Sequence, residues 1–408
     1  MNRRAFVQCS MGGIAALLGS RFLVGGARAA APVAKAKAII VLWMNGGPSH
    51  IDTFDPKAGT PLTDIATRAP SIRLSQHLPH LAEVSDKIAI VRGMTSREGN
   101  HQRAAYLLHT GWSPNATVEH PSLGAWVSEE LGGRDRELPA FVAVHGPSVG
   151  AGFLGVAHGP FVVPIAGTTP QDTGLPRDVD AARFSRRQEA LAYLDGNFAA
   201  YDSEKLKGRH AVYEQAVRMM SAPTLKAFDL DAEPAATSAA YGDTPFGRGC
   251  LLARRLVEVG VKYIEVTLDG WDTHQDNFNR TKAQMDILDP AFAALVKDLD
   301  ERRLLGSTLV LCTGEFGRTP TVNINEGRDH YPAAWSCALA GGGLRGGIVR
   351  GATDETGARV VSDPTSVADL FATITSLTGI DPDKEFRTPL GRPIAITDRG
   401  TPIASLIA

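Results

Sequence analysis

The sequence has few cysteines, and their number argues against a disulfide framework. Its 408 residues include four, and no two of them form a C-x-x-C pair. Cys9 precedes the expected export cleavage site, which leaves an odd number in the mature chain. Cys250, Cys312 and Cys337 each lie in an apolar segment. We therefore expect buried free thiols.

The sequence also has almost no net charge. Its 42 basic and 44 acidic side chains give a formal charge of −2 at pH 7. A protein that binds nucleic acid presents clustered lysine and arginine side chains to the phosphate backbone. No such basic stripe is present, so nucleic acid is not an expected partner.

A long uninterrupted apolar run is missing as well. Residues 11–24 are weakly apolar, but glycines and Arg21 interrupt them, so the segment is shorter than the roughly 20 apolar residues that a membrane span needs. The pair Arg3-Arg4 precedes this segment, and Ala27-Arg28-Ala29 follows it. This pattern is typical of a twin-arginine export signal that is cleaved after Ala29. The alternative, a buried N-terminal helix, would need an amphipathic stripe that the segment lacks.

We therefore expect residues 1–29 to be a signal peptide and the mature protein to have no transmembrane anchor. Its location would be periplasmic or extracellular, reached by the twin-arginine pathway.

The mature chain alternates between buried strands and helices. Short apolar, β-branched runs occur at residues 38–43, 88–91, 141–144, 263–268 and 308–312. Helical patterns occur at residues 247–259, 277–303 and 366–378. The alternation predicts an α/β fold, three-layer α/β/α with a mostly parallel central sheet, over a single domain of residues 30–408. A charged helical insertion near residues 164–243, with helices at 184–198 and 204–220, is expected to cap one edge.

In a sheet of this kind, ligands bind in the loops beyond the carboxyl ends of the strands. The loop after the first strand contains two glycines that let the backbone approach a ligand closely, followed by several polar side chains. We predict that Asn45, Ser49 and His50 bind substrate and that Asp52 is a metal ligand. The alternative is that the glycines and proline of this loop only form a turn.

The two strands at 263–268 and 308–312 are each followed by a loop with metal-binding side chains. Asp272 and His274 follow the first, and we predict both as ligands because cations need oxygen and nitrogen donors on a short loop. The alternative is that Asp272 or Thr273 caps the next helix. Glu315 follows the second strand with Arg318 nearby, either as a metal ligand or as an ordinary Arg–Glu ion pair.

Two further polar segments complete the predicted site. Asp329 and His330 lie together in a later loop and are predicted metal ligands. Asn100, His101 and Arg103 lie where a helix begins, and the free N–H groups of a helix N-terminus attract anions. Asn100 is therefore a further predicted substrate-binding residue. A capped surface helix is an equally good explanation of this second segment.

These motifs resemble a bacterial twin-arginine-exported family, the domain of unknown function numbered fifteen hundred and one. The resemblance covers almost the whole chain. Its most specific motifs are Gly270-Trp271-Asp272-Thr273-His274, Gly314-Glu315-Phe316-Gly317-Arg318-Thr319-Pro320 and Gly327-Arg328-Asp329-His330-Tyr331-Pro332.

That family is similar to the alkaline phosphatase and sulfatase superfamily, whose members hydrolyse or transfer phosphate and sulfate esters with two divalent cations. The resemblance implies that Asp272, His274 and His330 surround one metal. It implies that Glu315 stands where the superfamily has the aspartate of an Asp-His pair at the other metal.

The chain departs from the superfamily pattern at three places. Phe316 replaces the histidine of the Asp-His pair, which puts the second metal in doubt. His101, Asn100 and Gly99 stand where a serine or cysteine nucleophile is expected. The first strand ends in Asn45 instead of an aspartate ligand.

The leading hypothesis is therefore an exported metal-dependent hydrolase of phosphate or sulfate esters, with one divalent cation more strongly expected than two. The cation would activate water or polarise an ester oxygen, and the sequence leaves Zn, Mn, Ca and Mg open. Arg318 and Arg103 would neutralise the anionic group, while His101 would be nucleophile or general base. The substrate would be a small molecule or a polymer, and a protein partner is left open.

The competing hypothesis is a non-catalytic ligand-binding or assembly protein on a degenerate phosphatase-like scaffold. Phe316 favours this hypothesis, because it replaces the histidine of the Asp-His pair. A third, structural polar networks without a ligand, is disfavoured because buried imidazoles and carboxylates in four loops are costly.

Overall fold

The computed structural model describes residues 35–408 apart from 134–135 and 198–203. The predicted export signal, residues 1–29, lies outside the described residues. The strands are β1 (Ala38–Asn45), β2 (Asp64–Ala66), β3 (Arg73–Ser75), β4 (Ile88–Met94), β5 (Phe141–Val144), β6 (Phe161–Val163), β7 (Tyr263–Asp269), β8 (Thr308–Thr313), β9 (Gly317–Arg318), β10 (His330–Tyr331), β11 (Trp335–Gly341), β12 (Ile348–Arg350), β13 (Ala352–Thr353), β14 (Val360–Ser362), β15 (Glu385–Arg387) and β16 (Pro393–Ala395). The α-helices are α1 (Pro79–Glu83), α2 (His101–Thr110), α3 (Leu123–Leu131), α4 (Ala181–Asn197), α5 (Glu204–Met220), α6 (Ala235–Ala240), α7 (Pro245–Glu258), α8 (Asn277–Glu301) and α9 (Val367–Thr378).

A sheet of eight strands forms the centre, in the order β12-β4-β11-β8-β1-β7-β5-β6. Every neighbouring pair in it is parallel except the two pairs that include β11. The sheet is therefore mostly parallel, as the alternation of strands and helices predicts. The pattern did not identify β11, which follows β8 without a helix between them and so returns in the opposite direction.

The apolar residues of β1 show why helices cover both faces of the sheet. Ile40, Leu42 and Met44 belong to one buried cluster, which α7 and α8 complete. Ile39, Val41 and Trp43 belong to the other, which α2, α3 and α9 complete. Successive side chains of a strand point to opposite faces, so an apolar run without alternation is buried on both. The predicted three-layer α/β/α fold is confirmed.

The helix ends follow from their capping residues. The predicted helix at 366–378 begins at Val367 because Ser366 is its N-cap, in a capping box with Asp369. Thr244 caps α7 by accepting a hydrogen bond from the Gly247 N–H. The helices α4 and α5 lie within the predicted insertion, and residue 198, where we expected the first of them to end, lies outside the described residues.

Cys250, Cys312 and Cys337 are buried and free, as expected from their apolar segments. Among the helices of the described residues, none combines the length and apolarity that crossing a membrane requires.

Strands β1, β7 and β8 are neighbours and run in the same direction, so their carboxyl ends lie side by side. The loops that follow them carry Gly46, Asp272 and Glu315, respectively. This edge of the sheet is where the predicted site residues can meet.

Candidate functional site

Three histidines and one aspartate from three segments meet at this edge, and we call them the histidine cluster: His101, Asp272, His274 and His330. His101 is the first residue of α2, and Asp272 and His274 lie in the loop after β7. His330 lies in β10, which pairs antiparallel with β9. Ligand atoms of His101, Asp272 and His330 all lie within 4.8 Å of one another.

Each imidazole of the cluster is oriented by a hydrogen bond from its Nδ1–H. The His101 Nδ1 donates to Glu315 Oε1 at 2.7 Å, and the His330 Nδ1 donates to the carbonyl oxygen of Gly99 at 2.8 Å. The His274 Nδ1 donates to Asp329 Oδ1 at 2.9 Å. A carbonyl oxygen or carboxylate can only accept, so the hydrogen of each neutral ring lies on Nδ1 and the Nε2 lone pair is free.

The free Nε2 atoms converge on Asp272. The Nε2 atoms of His101 and His330 each lie 3.5 Å from Asp272 Oδ1, and the Nε2 of His274 lies 3.2 Å from it. The Nε2 atoms of His274 and His330 are 2.9 Å apart. The His101 Nε2 is buried and has no hydrogen-bond partner among the described residues. Several acceptors facing one another at these distances repel unless a proton or a cation lies between them.

The spacing of these atoms suits a cation with imidazole ligands. Zinc–nitrogen bonds of about 2.0–2.1 Å in a tetrahedron place the donor atoms about 3.3–3.4 Å apart. The four separations given above range from 2.9 to 3.5 Å. Metal-bound histidines also usually donate their other N–H to a carboxylate or carbonyl oxygen, as all three do here.

The pKa values within the cluster diverge because the surroundings of its members differ. The hydrogen bond to Glu315 raises the pKa of His101 above its ordinary value. Burial lowers the pKa of His330, and the charge of Arg318 adds to the effect. Burial alone would raise the pKa of Asp272, but the bond from Arg318 outweighs it and lowers this pKa. The Asp272 carboxylate is therefore ionised, and His330 favours its neutral form, as cation ligands must.

Two glycines allow the loop after β1 to pass close to the cluster. Gly46 has φ +117° and Gly47 has φ +74°, both in the region that favours glycine. A Cβ at Gly46 would lie 2.4 Å from the backbone nitrogen of Asp272, and one at Gly47 would lie 2.6 Å from the Phe316 ring. The Gly46 N–H donates to Glu315 Oε1 at 3.0 Å. This bond orients the Glu315 carboxylate, and the carboxylate in turn orients His101.

Arg318 lies beside the cluster, but its donors are already used within the protein. Its side chain is fully buried. Its Nε donates to the carbonyl oxygen of Gly47, its Nη1 to that of Arg328, and its Nη2 to that of Gly46 and to Asp272. The predicted role of Arg318 in neutralising a substrate anion would therefore require some of these bonds to break.

Phe316 packs against two rings of the cluster. Its ring centroid lies 5.0 Å from that of His101 and 4.6 Å from that of His330. It is fully buried, so this side of the cluster is an apolar wall.

The predicted metal ligands fall into three groups. Asp272, His274 and His330 converge, whereas Glu315 and Asp329 stand behind His101 and His274 as hydrogen-bond partners. Asp52 is not in the cluster.

Asp52 is fully buried and accepts hydrogen bonds from Arg328 Nε and Asn277 Nδ2, each at 2.8 Å. Its loop turns into the domain interior after the glycines, which is why chain proximity to β1 does not bring it to the site.

The predicted substrate-binding residues are not gathered around the cluster. Asn45 bonds to Asp269 at 2.7 Å at the end of β1. Ser49 and His50 are buried, and His50 Nε2 donates to the carbonyl oxygen of Gly357.

Asn100 caps α2, and Arg103 forms a two-bond ion pair with Glu98 at 2.7 and 2.8 Å. The capped-helix explanation thus describes Asn100 and Arg103.

The sequence analysis missed three contributors to the site. The Gly99 carbonyl oxygen orients His330, and Asn323 Nδ2 donates to Asp329 Oδ1 at 3.1 Å. The Arg328 carbonyl oxygen accepts a hydrogen bond from Arg318 Nη1 at 3.0 Å. A backbone carbonyl oxygen leaves no signal in a sequence. Asn323 does leave one, because it lies in a turn four residues before Gly327.

A family model matches residues 36–407, and its description is "Protein of unknown function (DUF1501)". The match covers nearly all of the chain and confirms the predicted family. No curated protein matches the sequence.

Several solved structures are similar over most of the chain. The PsFucS1 sulfatase from Pseudoalteromonas sp. has a TM-score of 0.40 and 12% identity, covering 85% of this chain and 68% of that one. The lipoteichoic acid synthase LtaP from Listeria monocytogenes has a TM-score of 0.40 and 10% identity, covering 89% and 74%. The alkaline phosphatase from the Antarctic bacterium TAB5 has a TM-score of 0.35 and 13% identity, covering 84% and 98%. These similarities are distant, and the fold assignment rests on the strand order of the chain itself.

Proposed function

We propose that this chain, which belongs to the DUF1501 family of proteins of unknown function, is an exported metal-dependent hydrolase of phosphate or sulfate esters. The observation that carries the proposal is the convergence of free Nε2 lone pairs on the Asp272 carboxylate. The type of ester comes only from the motif resemblance, because the fold alone does not fix a reaction.

Asp272, His274 and His330 are the proposed ligands of one divalent cation. Three nitrogen or oxygen ligands with a fourth position left open is the usual arrangement of a catalytic zinc site. Two imidazoles and one carboxylate favour Zn²⁺ or Mn²⁺ over Mg²⁺ and Ca²⁺, which prefer oxygen ligands. Such a cation would lower the pKa of a bound water and withdraw charge from an ester oxygen.

His101 is the proposed general base or nucleophile. Its Nδ1–H is held by Glu315, so its Nε2 lone pair can accept a proton or attack, and the carboxylate stabilises the imidazolium that forms. Gly46 holds Glu315 in place through its backbone N–H. Phe316 and the buried Arg318 exclude water from the inner side of the cluster.

A second candidate function is non-catalytic cation binding, and two observations favour it. His101 lies close enough to act as a fourth ligand, which would close the coordination shell as in structural sites. Arg318 and Arg103 are both paired within the described residues, so neither offers a free guanidinium to an anionic ester.

The experiment is metal analysis of the purified exported protein, followed by assays on aryl phosphates and aryl sulfates with added Zn²⁺, Mn²⁺, Mg²⁺ or Ca²⁺. We expect one bound cation per chain, and hydrolysis that His274→Ala and His330→Ala both abolish. His210→Ala is the matched control, because His210 is an exposed histidine on α5. A bound cation without turnover would favour the second candidate. Absence of both would refute the first and the second.

Export is proposed on the residues of the N-terminal segment alone. Replacement of Arg3 and Arg4 by lysine should leave the protein in the cytoplasm, as shown by fractionation of the expressing cells. Export that continues unchanged would exclude the twin-arginine pathway.

A further inference from the structure

The other end of α2 carries a buried ion pair that the proposed function does not use. The His109 Nε2 lies 3.2 Å from Glu265 Oε1, and the two side chains are only 7% and 2% exposed. The second carboxylate oxygen of Glu265 accepts a hydrogen bond from Ser148 Oγ at 2.9 Å. Glu265 lies in β7, in the middle of the sheet.

The hydrogen bonds of His109 show that its ring is charged. Its Nδ1 donates to the carbonyl oxygen of Ala105 at 2.7 Å, while Nε2 donates to Glu265. Because neither acceptor can donate, both ring nitrogens carry hydrogen. Burial would lower the pKa of His109, but the attraction of Glu265 outweighs it and raises this pKa. The pair is therefore an imidazolium and a carboxylate inside the protein.

Stability alone does not account for such a pair. Removing two charges from water costs several kcal/mol per ion, and well-packed apolar residues often stabilise a domain as well or better. Apolar packing is already available here, since Leu108 is buried beside it and the Trp43 ring centroid lies 4.3 Å from that of His109. What an ion pair adds over apolar contact is a fixed direction and distance.

That fixed direction bears on His101, because both histidines lie on α2. Eight residues separate them, which is about 12 Å along the axis and about 80° around it. His101 bonds to Glu315 in the loop after β8, and His109 bonds to Glu265 in β7. Two bonds to two different elements fix both the rotation of the helix and its shift along its axis.

We propose that the His109–Glu265 ion pair positions His101, holding α2 so that the His101 Nδ1–H meets Glu315 and its Nε2 faces the histidine cluster. His109 and Glu265 are positioning residues in this role, since neither touches the cluster. The effect on hydrolysis rests on the proposed function, whereas the effect on the His101 ring does not.

The test uses the full chain labelled with ¹⁵N-histidine, without added metal. The His101 Nδ1–H, in a 2.7 Å bond to a carboxylate, should give a strongly downfield proton resonance that exchanges slowly with solvent. We expect Glu265→Ala and His109→Ala to shift this resonance and speed its exchange. The double variant His109→Gln with Glu265→Gln, which can form a neutral hydrogen bond between the same positions, should restore it.

A matched control lies on the opposite face of the sheet. His80 and Asp289 also form a histidine–carboxylate pair, at 2.7 Å, between α1 and α8. His80→Ala should leave the His101 resonance unchanged. If hydrolysis is confirmed, the single variants at His109 and Glu265 should also slow it on the order of tenfold, because His101 is its proposed base or nucleophile.

The proposal is overturned if the folded single variants keep the His101 resonance unchanged, or if the double variant fails to restore it. Where Glu265→Ala does not fold, Glu265→Met supplies the same comparison, because it removes the charge and the hydrogen bond but keeps the approximate size of the side chain. Failure of the proposed function would look different: the unsubstituted chain would bind no cation, and the His101 resonance would still respond to Glu265.

Discussion

The histidine cluster can be compared with a second group of charged residues, which we call the arginine network: Glu233, Arg254, Glu258, Asp298 and Arg302. It joins α7 and α8 to the segment before α6. The Arg254 guanidinium lies 2.6 Å from Glu233, 2.9 Å from Glu258 and 2.9 Å from Asp298, and its side chain is 1% exposed. Tyr241 also donates to Asp298.

The two groups differ in how their charges are matched. In the arginine network, positive donors alternate with carboxylates, so each buried charge has a partner of opposite sign. In the histidine cluster, lone pairs of three imidazoles and a carboxylate face one another, and Arg318 is the positive group in contact with them. A network whose charges are paired compensates each buried charge within the chain, whereas a convergence of acceptors is suited to a cation that is not part of the chain.

The largest effect we expect is on the arginine network. Arg254→Ala removes the buried cation that three carboxylates share and leaves them only their pairs with Arg255 and Arg302. We expect a loss of about 3 kcal/mol, the lower end for a broken buried pair. Guanidinium unfolding measures the loss. Arg359→Ala is the control, since that arginine is 84% exposed in its ion pair and should leave the unfolding midpoint unchanged. A loss below about 1 kcal/mol for Arg254→Ala would show that the network does not stabilise the fold.

The next effect belongs to the histidine cluster and acts on ligand affinity. We expect His330→Ala to weaken Zn²⁺ binding by about 100-fold or more, because it removes a ligand rather than a residue behind one. The unfolding free energy of the metal-free protein should stay the same or rise slightly, because the variant removes the repulsion between the Nε2 lone pairs of His330 and His274. Calorimetric titration and chemical unfolding measure the two quantities. A Zn²⁺ affinity equal to that of the unsubstituted protein would show that His330 is not a ligand of the cation.

A smaller effect, on pH dependence, separates Glu233 of the arginine network from His50, a buried histidine outside the histidine cluster. Burial lowers the pKa of His50, so its folded form binds fewer protons than the unfolded chain, and its contribution to stability falls as pH drops through about 6.5. The pKa of Glu233 is also lowered: burial opposes the shift, but Arg254 and Arg255 outweigh it. Its contribution is therefore complete above about pH 4.5 and is lost below.

Unfolding of His50→Gln and Glu233→Gln at several pH values tests these signs. Relative to the unsubstituted protein, His50→Gln should become more stable between pH 7 and pH 5. Glu233→Gln should show no change in that range and should gain only below it. A relative gain for Glu233→Gln between pH 7 and pH 5, with a gain for His50→Gln only below that range, would contradict the direction of both pKa shifts.

The smallest effect concerns Arg103, which the sequence analysis proposed as a catalytic residue. Its guanidinium is bonded to Glu98 at the surface, away from the histidine cluster. Arg103→Gln should leave the unfolding midpoint, the cation affinity and any hydrolysis unchanged. A large loss of hydrolysis with unchanged cation affinity would instead show that Arg103 releases Glu98 to bind substrate.

The sequence by itself determined the layers of the fold. The run at β1 has no alternation of polar and apolar residues, so it can only be a strand covered on both faces, and helix periodicity identified α7, α8 and α9. It also determined which loops carry metal-binding side chains, because polar residues that directly follow parallel strands share one edge of the sheet.

Only the tertiary structure decided which of those side chains face one shared point and which stand behind them. Glu315 and Asp272 both follow a strand and carry the same charge, yet one orients His101 and the other faces the lone pairs. Asp52 was equally plausible from its place after β1, but it is paired with Arg328, 276 residues away in the chain. These outcomes depend on which distant segments of the chain meet and on how their loops turn, whereas periodicity in a sequence specifies only which face of an element is buried.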